Sequence, residues 1–223
     1  MSHPIDVVTV DGPSGVGTGT MSQRLAEELG YHYLDSGALY RILGLASIDA
    51  GLDLDNAEQV SPLLASSQIE FAVVDGQVLV KLNGQDVSEA IRTEEAGANA
   101  SKVAVHPAVR AGLLALQQNM AVAPGLVADG RDMGTTVFPD ARCKLFLTAS
   151  NEVRAERRYK QLKDKGVGVS LPRLLNELKA RDERDASREA SPLQAADDAI
   201  VIDTSDLSVE EVFAQVLSQA VPG

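Results

Sequence analysis

The sequence predicts an α/β fold: a doubly wound, five-stranded parallel sheet with a small antiparallel insertion and a helical appendage. Three observations lead there. Five short apolar runs lack polar alternation, helical patterns lie between them, and a glycine-rich loop follows directly behind the first run. Runs without alternation suit strands covered on both faces. Strands that alternate with helices pair in parallel through helical crossovers.

The runs are Ile5 to Val10, Tyr31 to Leu34, Leu126 to Ala128, Lys144 to Thr148, and Ile200 to Ile202. Met21 to Leu29, closed by Gly30, reads as a helix, as does Val109 to Ala121. Val209 to Ala220 is a third, introduced by Ser208 with Glu211 three residues on in the pattern of a capping box. Two stretches break this rhythm. Within Ile69 to Val87, apolar segments flank Asp75-Gly76, a pair suited to a tight hairpin turn because both positions take positive φ. The second stretch, Arg154 to Arg188, holds two helical patterns split by Gly166-Val167-Gly168, with Pro172 tolerated in a first helical turn.

A chain of 223 residues, 44% hydrophobic and 23% charged, is ordinary for a globular protein. It can bury roughly 70–75% of its unfolded surface, enough for one α/β domain with insertions. No apolar run approaches the length of a membrane span. The start lacks the pattern of a secretory signal, and the single Cys143 cannot form an internal disulfide, so a reducing cytoplasm is the expected compartment.

Twenty Lys and Arg against 32 Asp and Glu give a formal charge of −12, which argues against nonspecific grip on nucleic acid or an anionic membrane. The charge is uneven. Between Arg154 and Arg188 seven Arg and four Lys face six Asp and Glu, a local balance of +5 that leaves −17 on the rest of the chain. Such a segment is either a solvated helix pair laced with salt bridges or a lid that closes over polyphosphate.

Behind the first strand stands Gly12-Pro13-Ser14-Gly15-Val16-Gly17-Thr18-Gly19-Thr20, followed by a helix. This is the order of a P-loop, in which backbone N–H groups and a helix N-terminus converge on phosphate oxygens. Glycines let the backbone approach the anion and take positive φ. The Thr20 hydroxyl is the expected ligand of Mg²⁺. The signature G-x-x-x-x-G-K-[ST] has lysine where this chain has Thr18, so a cation that normally reaches the β- and γ-phosphates is absent. A lost charge-assisted contact costs roughly 1.5–3 kcal/mol in ground-state binding, and more where charge develops in the transition state.

Three further motifs occur in order: Asp35-Ser36-Gly37-Ala38-Leu39-Tyr40-Arg41, then Asp129-Gly130-Arg131-Asp132-Met133-Gly134-Thr135, and finally the run from Arg181 to Arg188. With the glycine loop, they closely resemble the bacterial cytidylate kinase family over essentially the whole chain. The resemblance implies a P-loop NTPase core at 1–35, 103–150 and 189–223. It also implies an NMP-binding domain at 36–102 that carries the antiparallel insertion, and a lid at 151–188. The implied reaction is ATP + CMP ⇌ ADP + CDP, with dCMP also accepted and Mg²⁺ bound with ATP.

Arg41 lies just beyond one strand and Arg131 at the carboxyl end of another, the edge where ligands of such sheets bind. In the family both grip the CMP phosphate. Cytosine offers an N4 donor and the O2 and N3 acceptors, so its reader needs one carboxylate and one or two donors. Asp132, Arg110 and Ser101 supply that set, and the resemblance places all three at the base together with Ser36. For the two serines, local capping is the competing reading.

Arg181, Arg184 and Arg188 fall at i, i+3 and i+7, so one continuous helix puts them on one face together with Asp185. The family uses Arg181 and Asp185 around the ribose and Arg188 near the phosphates, and the same comparison turns Arg184 toward the transferred group. Arg157 or Arg158 stacks on adenine. Catalysis is expected from Arg41, Arg131, Arg184 and Arg188.

His3, His32 and His106 lack metal-ligand spacing and read as structural, and Cys143 reads as buried core. The expected partners are ATP and CMP or dCMP, with no nucleic acid and no membrane, acting on a monomer. Two other readings stay open. One is a nucleotide-binding protein that has lost phosphoryl transfer and serves as regulator or scaffold. The other is a kinase for a different small acceptor.

Overall fold

The computed structural model describes residues 5–74, 77–164 and 166–221. The chain divides into two compact units, one formed by residues up to Asp35 together with those from Gln117 onward, the other by Ser36–Leu116.

The first unit is built on five parallel strands: β1 (Asp6–Asp11), β2 (His32–Asp35), β6 (Gly125–Gly130), β7 (Cys143–Thr148) and β8 (Ile200–Asp203). Their spatial order is β2-β6-β1-β7-β8. Every residue of β6 is buried, and so is all of β1 after Asp6, which explains why neither alternates in the sequence. Val8, Val10, Leu145 and Leu147 form the centre of the core, joined by Leu25 of α1 (Thr18–Leu29) and Val216 of α9 (Val209–Ala220). The register aligns Asp11 with Gly130 and Asp129 with Asp35, so polar residues end three adjacent strands at one edge.

Helix boundaries follow local chemistry. Gly30 closes α1 in the left-handed conformation, φ 66°, with its N–H on the carbonyls of Ala26 and Glu27. Ser208 and Glu211 form the reciprocal box at the start of α9. The basic segment is α7 (Asn151–Asp164) and α8 (Leu171–Ala186), with Ser170 capping the Arg173 N–H and Pro172 in the first turn. Helix α1 begins three residues before the expected Met21. The expected Val109–Ala121 helix is α6 (Pro107–Gln118) instead. Met120 and Ala121 bond to Gln117 and Gln118 three residues back, so the chain tightens out of the α-helix before Ala121.

In the second unit, α2 (Ser36–Asp49), α3 (Ala57–Val60), α4 (Leu63–Ser66) and α5 (Glu94–Val103) accompany an antiparallel sheet. Its strands are β3 (Ile69–Val74), β4 (Gln77–Leu82) and the two-residue β5 (Gln85–Asp86), with Val74 opposite Gln77. Asp75 and Gly76, the expected turn, lie outside the described residues. The third strand follows from Asn83-Gly84, whose φ values of 51° and 81° make a second tight turn. Ala38, Ile42, Ala46, Val80, Leu82, Val87 and Ile91 form the core of this unit. Gly44 of α2 lets α5 come close, since an added Cβ would lie 3.2 Å from the Asn99 side chain.

Candidate active site

The phosphate loop occupies residues 12–17 between β1 and α1. Gly15 and Gly17 take φ of +80° and +103°, values that exclude most side chains. At Gly12 the constraint is steric, because an added Cβ would stand 2.4 Å from the Leu147 carbonyl oxygen. Helix α1 starts immediately after Gly17 with no side-chain cap, and its first intrahelical N–H bond comes from Met21 to Gly17. Amides of the loop and of the first turn therefore need an acceptor, which a phosphate supplies.

Thr18, at the lysine position, is only 7% exposed, and its hydroxyl lies beside the carboxylate of Asp129 at the end of β6, where it lowers that carboxyl's pKa. Burial, reinforced by the nearby charge of Asp35, pushes Asp129 up to about 7. Its Oδ2 accepts from the Tyr33 hydroxyl at 3.4 Å, whereas its buried Oδ1 has no hydrogen-bond partner. Counted from Gly12, the hydroxyl position of the signature falls on Gly19. A Cβ there would approach Asp129 Oδ2 to 3.2 Å, and Thr20 follows one residue later on an exposed part of α1.

On the neighbouring strand end, Arg131 donates from Nε to Asp185 Oδ2 at 3.2 Å and from Nη1 to the Gly130 carbonyl at 3.0 Å. Asp185 is 1% exposed and pairs through its other oxygen with Arg188, so two guanidinium groups share one buried carboxylate. The continuous helix expected through Arg188 ends at Ala186. Arg188 lies beyond its C-cap, Ser187, and reaches back to Asp185. Arg181 is half-buried and Arg184 exposed on α8.

Asp132 is buried and opens a short π-helix, Met133–Val137. Asp11, at the end of β1, accepts the N–H groups of Met133 at 2.9 Å and Gly134 at 2.8 Å. This fixes the segment that carries Arg131 and Asp132. Burial raises Asp11 to about 7, those two bonds oppose the rise, and the Asp132 charge adds to it. Arg157 bonds Thr204 just past β8, with Nη1 on Oγ1 at 3.0 Å and Nη2 on the carbonyl at 2.5 Å, while Arg158 bonds Gln161 on its own helix.

Four expected residues belong to the second unit. Ser36 is buried as the first residue of α2, and Arg41 donates from Nη1 to the carbonyls of Ile91 at 2.7 Å and Thr93 at 3.2 Å. Ser101 on α5 is 2% exposed, and its hydroxyl oxygen has no hydrogen-bond partner. Arg110 on α6 is 8% exposed, stacks over the Tyr40 ring at 5.6 Å and donates to the Ala104 carbonyl at 3.3 Å. Of these four, the Ser101 hydroxyl is the buried polar group left for a polar ligand.

His32 and His106 each bond a backbone carbonyl, of Ala123 and Leu54 respectively, and His3 lies outside the described residues. Cys143 is buried, and burial raises its thiol.

The pattern of the family described as cytidylate kinase matches residues 8–221. The cytidylate kinase of Aeromonas salmonicida (strain A449) is 54% identical over 99% of this chain and 96% of its own length. That of Stutzerimonas stutzeri (strain A1501) is 52% identical over 98% and 96%, and that of Pasteurella multocida (strain Pm70) is 51% identical over the same shares. The chain belongs to the cytidylate kinase family.

For this member of the cytidylate kinase family, sequence reasoning passed over three site residues. Asp11 and Asp129 stand at strand ends beside or inside the quoted motifs, and the available signal was a polar residue ending a buried apolar run. Arg154 was counted only as one charge in a basic segment. Nothing in its spacing announces that its side chain is buried against the phosphate loop.

Proposed function

We infer that the protein transfers the γ-phosphoryl group of ATP to CMP, giving ADP and CDP, and accepts dCMP in the same way. The observation that carries this reading is the placement of two kinds of group on neighbouring strand ends. The amides of the uncapped loop and first helical turn follow β1, and Arg131 with Asp132 follows β6 in register beside it. One end suits a triphosphate and the other a pyrimidine nucleotide.

The loop amides hold the ATP phosphates, and Arg41 and Arg131 hold the CMP phosphate. A CMP phosphate oxygen attacks the γ-phosphorus while the bond to the β-γ bridging oxygen breaks and the electron pair leaves with ADP. A phosphate oxygen is already a competent nucleophile, so positioning and charge neutralisation supply most of the catalysis. Asp132, Arg110, Ser101 and Ser36 read the cytosine, and Arg181, Asp185 and Arg188 take the ribose and phosphates. Segment 151–188 acts as the lid that excludes water, 36–102 as the NMP-binding domain, and the remainder as the core. Arg184, exposed on α8, turns to the transferred group on closure, and Arg157 is the better candidate for adenine than Arg158.

The unpartnered buried Oδ1 of Asp129 is a hard oxygen donor of the kind Mg²⁺ takes, and it would help hold the ion that accompanies ATP. That ion would neutralise charge on the phosphate oxygens. The reading takes the protein to act as a monomer in the cytoplasm. Among the described residues no helix is long and apolar enough to cross a membrane.

The curated relatives are kinases by name, so the reading as a noncatalytic regulator is not favoured. An ADP-release assay with CMP, dCMP, UMP and AMP tests the proposal: turnover is expected with CMP and dCMP. ATP binding without turnover on any acceptor would overturn it. Asp132→Ala is expected to lower kcat/KM for CMP by about tenfold more than for UMP, because only cytosine offers the N4 donor. Equal losses would remove Asp132 from base reading.

A further inference from the structure

Arg154, in the first turn of α7, is 2% exposed and touches three parts of its unit. Its Nε donates to the Ala149 carbonyl at 3.2 Å and its Nη1 to the Ser14 carbonyl at 2.8 Å. Nη1 and Nη2 meet the two carboxylate oxygens of Asp182 on α8 at 3.2 and 2.5 Å, and Nη2 also bonds Asn151 Oδ1. A buried guanidinium is tolerated when it is paired, and Asp182 meets that need. The bond to Ser14 is a separate matter, because it directs the cation at the main chain of the phosphate loop.

The Ser14 carbonyl shares a peptide unit with the Gly15 N–H. A charge-assisted bond to the carbonyl oxygen polarises that unit and makes its N–H a stronger donor. N–H groups are what such a loop offers to phosphate. Gly15 also packs against Arg154, since an added Cβ at Gly15 would sit 3.6 Å from the arginine Cβ. We propose that Arg154 is a positioning residue of the phosphate loop. It holds and polarises the Ser14–Gly15 peptide for a triphosphate and ties that peptide to α8 through Asp182. The proposal rests on the nucleotide reading above and extends it to the missing lysine. With Thr18 turned to Asp129, positive charge reaches the loop from behind through a peptide dipole.

Arg154→Gln, Arg154→Lys and Asp182→Asn test this, each alone and Arg154→Gln also in a Thr18→Lys background. Three readouts are needed: the amide ¹⁵N resonance of Gly15 without ligand, ATP affinity by calorimetry, and KM for CMP. Arg154→Gln should shift the Gly15 resonance upfield and weaken ATP about tenfold, while KM for CMP changes less than about twofold. Arg154→Lys and Asp182→Asn should give smaller shifts in the same direction. In the Thr18→Lys background the ATP loss should shrink to less than about threefold, because the ammonium then supplies the charge.

An unmoved Gly15 resonance, an equal loss for ATP and CMP, or an undiminished loss in the Thr18→Lys background each overturns the proposal. If Arg154→Gln does not fold, Arg154→Lys and Asp182→Asn carry the same criteria. If the unsubstituted protein fails to bind ATP, the nucleotide reading falls, whereas the Gly15 shift still reports whether Arg154 acts on the loop.

Discussion

At the scale of single residues, Thr18 decides how this site differs from an ordinary phosphate loop. Its hydroxyl is neutral, so it brings no charge to the loop, and it stands beside Asp129, which itself lies buried near Asp35. Thr18→Lys would place an ammonium between that carboxylate and the phosphates. The rate of CMP phosphorylation should rise by at least about tenfold in an ADP-release assay. An unchanged rate would mean that arginines, Arg154 among them, already carry the load. Asp129 gives a second expectation. Its carboxyl is raised from 3.8 to about 7, so folding favours the protonated form. That contribution is fully present below about 4 and is lost as pH rises through 7, with a size on the order of 2–4 kcal/mol. Asp129→Asn cannot ionise, so the Tm of the parent minus that of the variant should fall between pH 5 and pH 8. A constant difference would show that Asp129 ionises freely in the folded protein. Asp11 titrates in the same window and its charge acts on Asp129, so parent and variant are compared with Asp11→Asn in both. The missing lysine was legible in the sequence. The carboxylate that stands beside Thr18 was not, because Asp129 reaches it only after parallel pairing brings distant strand ends together.

At the scale of elements, the legible parts were those with local signatures. The αL glycine after α1, the capping box of α9, the glycine break before α8 and the strands around the turn expected at 75 and 76 each declare themselves within a few residues. The π-helix at Met133–Val137 has no such signature. It is held by Asp11 across the sheet, and long-range anchors of that kind leave no periodicity. The overextended reading of α8 has a different cause: i, i+3, i+7 spacing says which residues could share a face, not where the helix ends. Arg188 meets Asp185 by folding back after the helix rather than by continuing it. Local signatures also permit a quantitative expectation. Ser208 donates its hydroxyl to Glu211 Oε2 at 2.6 Å, and its Oγ accepts the Glu211 N–H at 3.3 Å. Ser208→Ala should cost about 1 kcal/mol, a fall in Tm of about 2–4 °C by calorimetry for a chain of this size. Activity at 25 °C should be unaffected, since the bonds of Ser208 are to Glu211 on its own helix. A loss of kcat without a loss of Tm would place α9 in the reaction.

At the scale of the whole molecule, a protein of net charge −12 binds substrates that are themselves anionic. The long-range field of the −17 outside the basic segment repels ATP and CMP, so attraction has to come from groups close to the phosphates. Several of those cations are held at short range and away from water: Arg188 and Arg131 on a carboxylate that is 1% exposed, and Arg154 behind the loop. Salt acts differently on the two effects. The Debye length is about 10 Å at 0.1 M, so added salt screens the repulsion of distant exposed carboxylates while the buried contacts are screened much less. A surface that grips phosphates with exposed Lys and Arg would instead lose affinity steadily as salt screens those contacts. For this chain kcat/KM for ATP should change by less than about threefold between about 50 and 300 mM KCl at fixed Mg²⁺, measured by initial rates with CMP saturating. A steep fall would mean that exposed lysines of the segment, such as Lys160 and Lys163, meet the triphosphate from solution. The +5 balance of that segment would then matter more than its buried arginines.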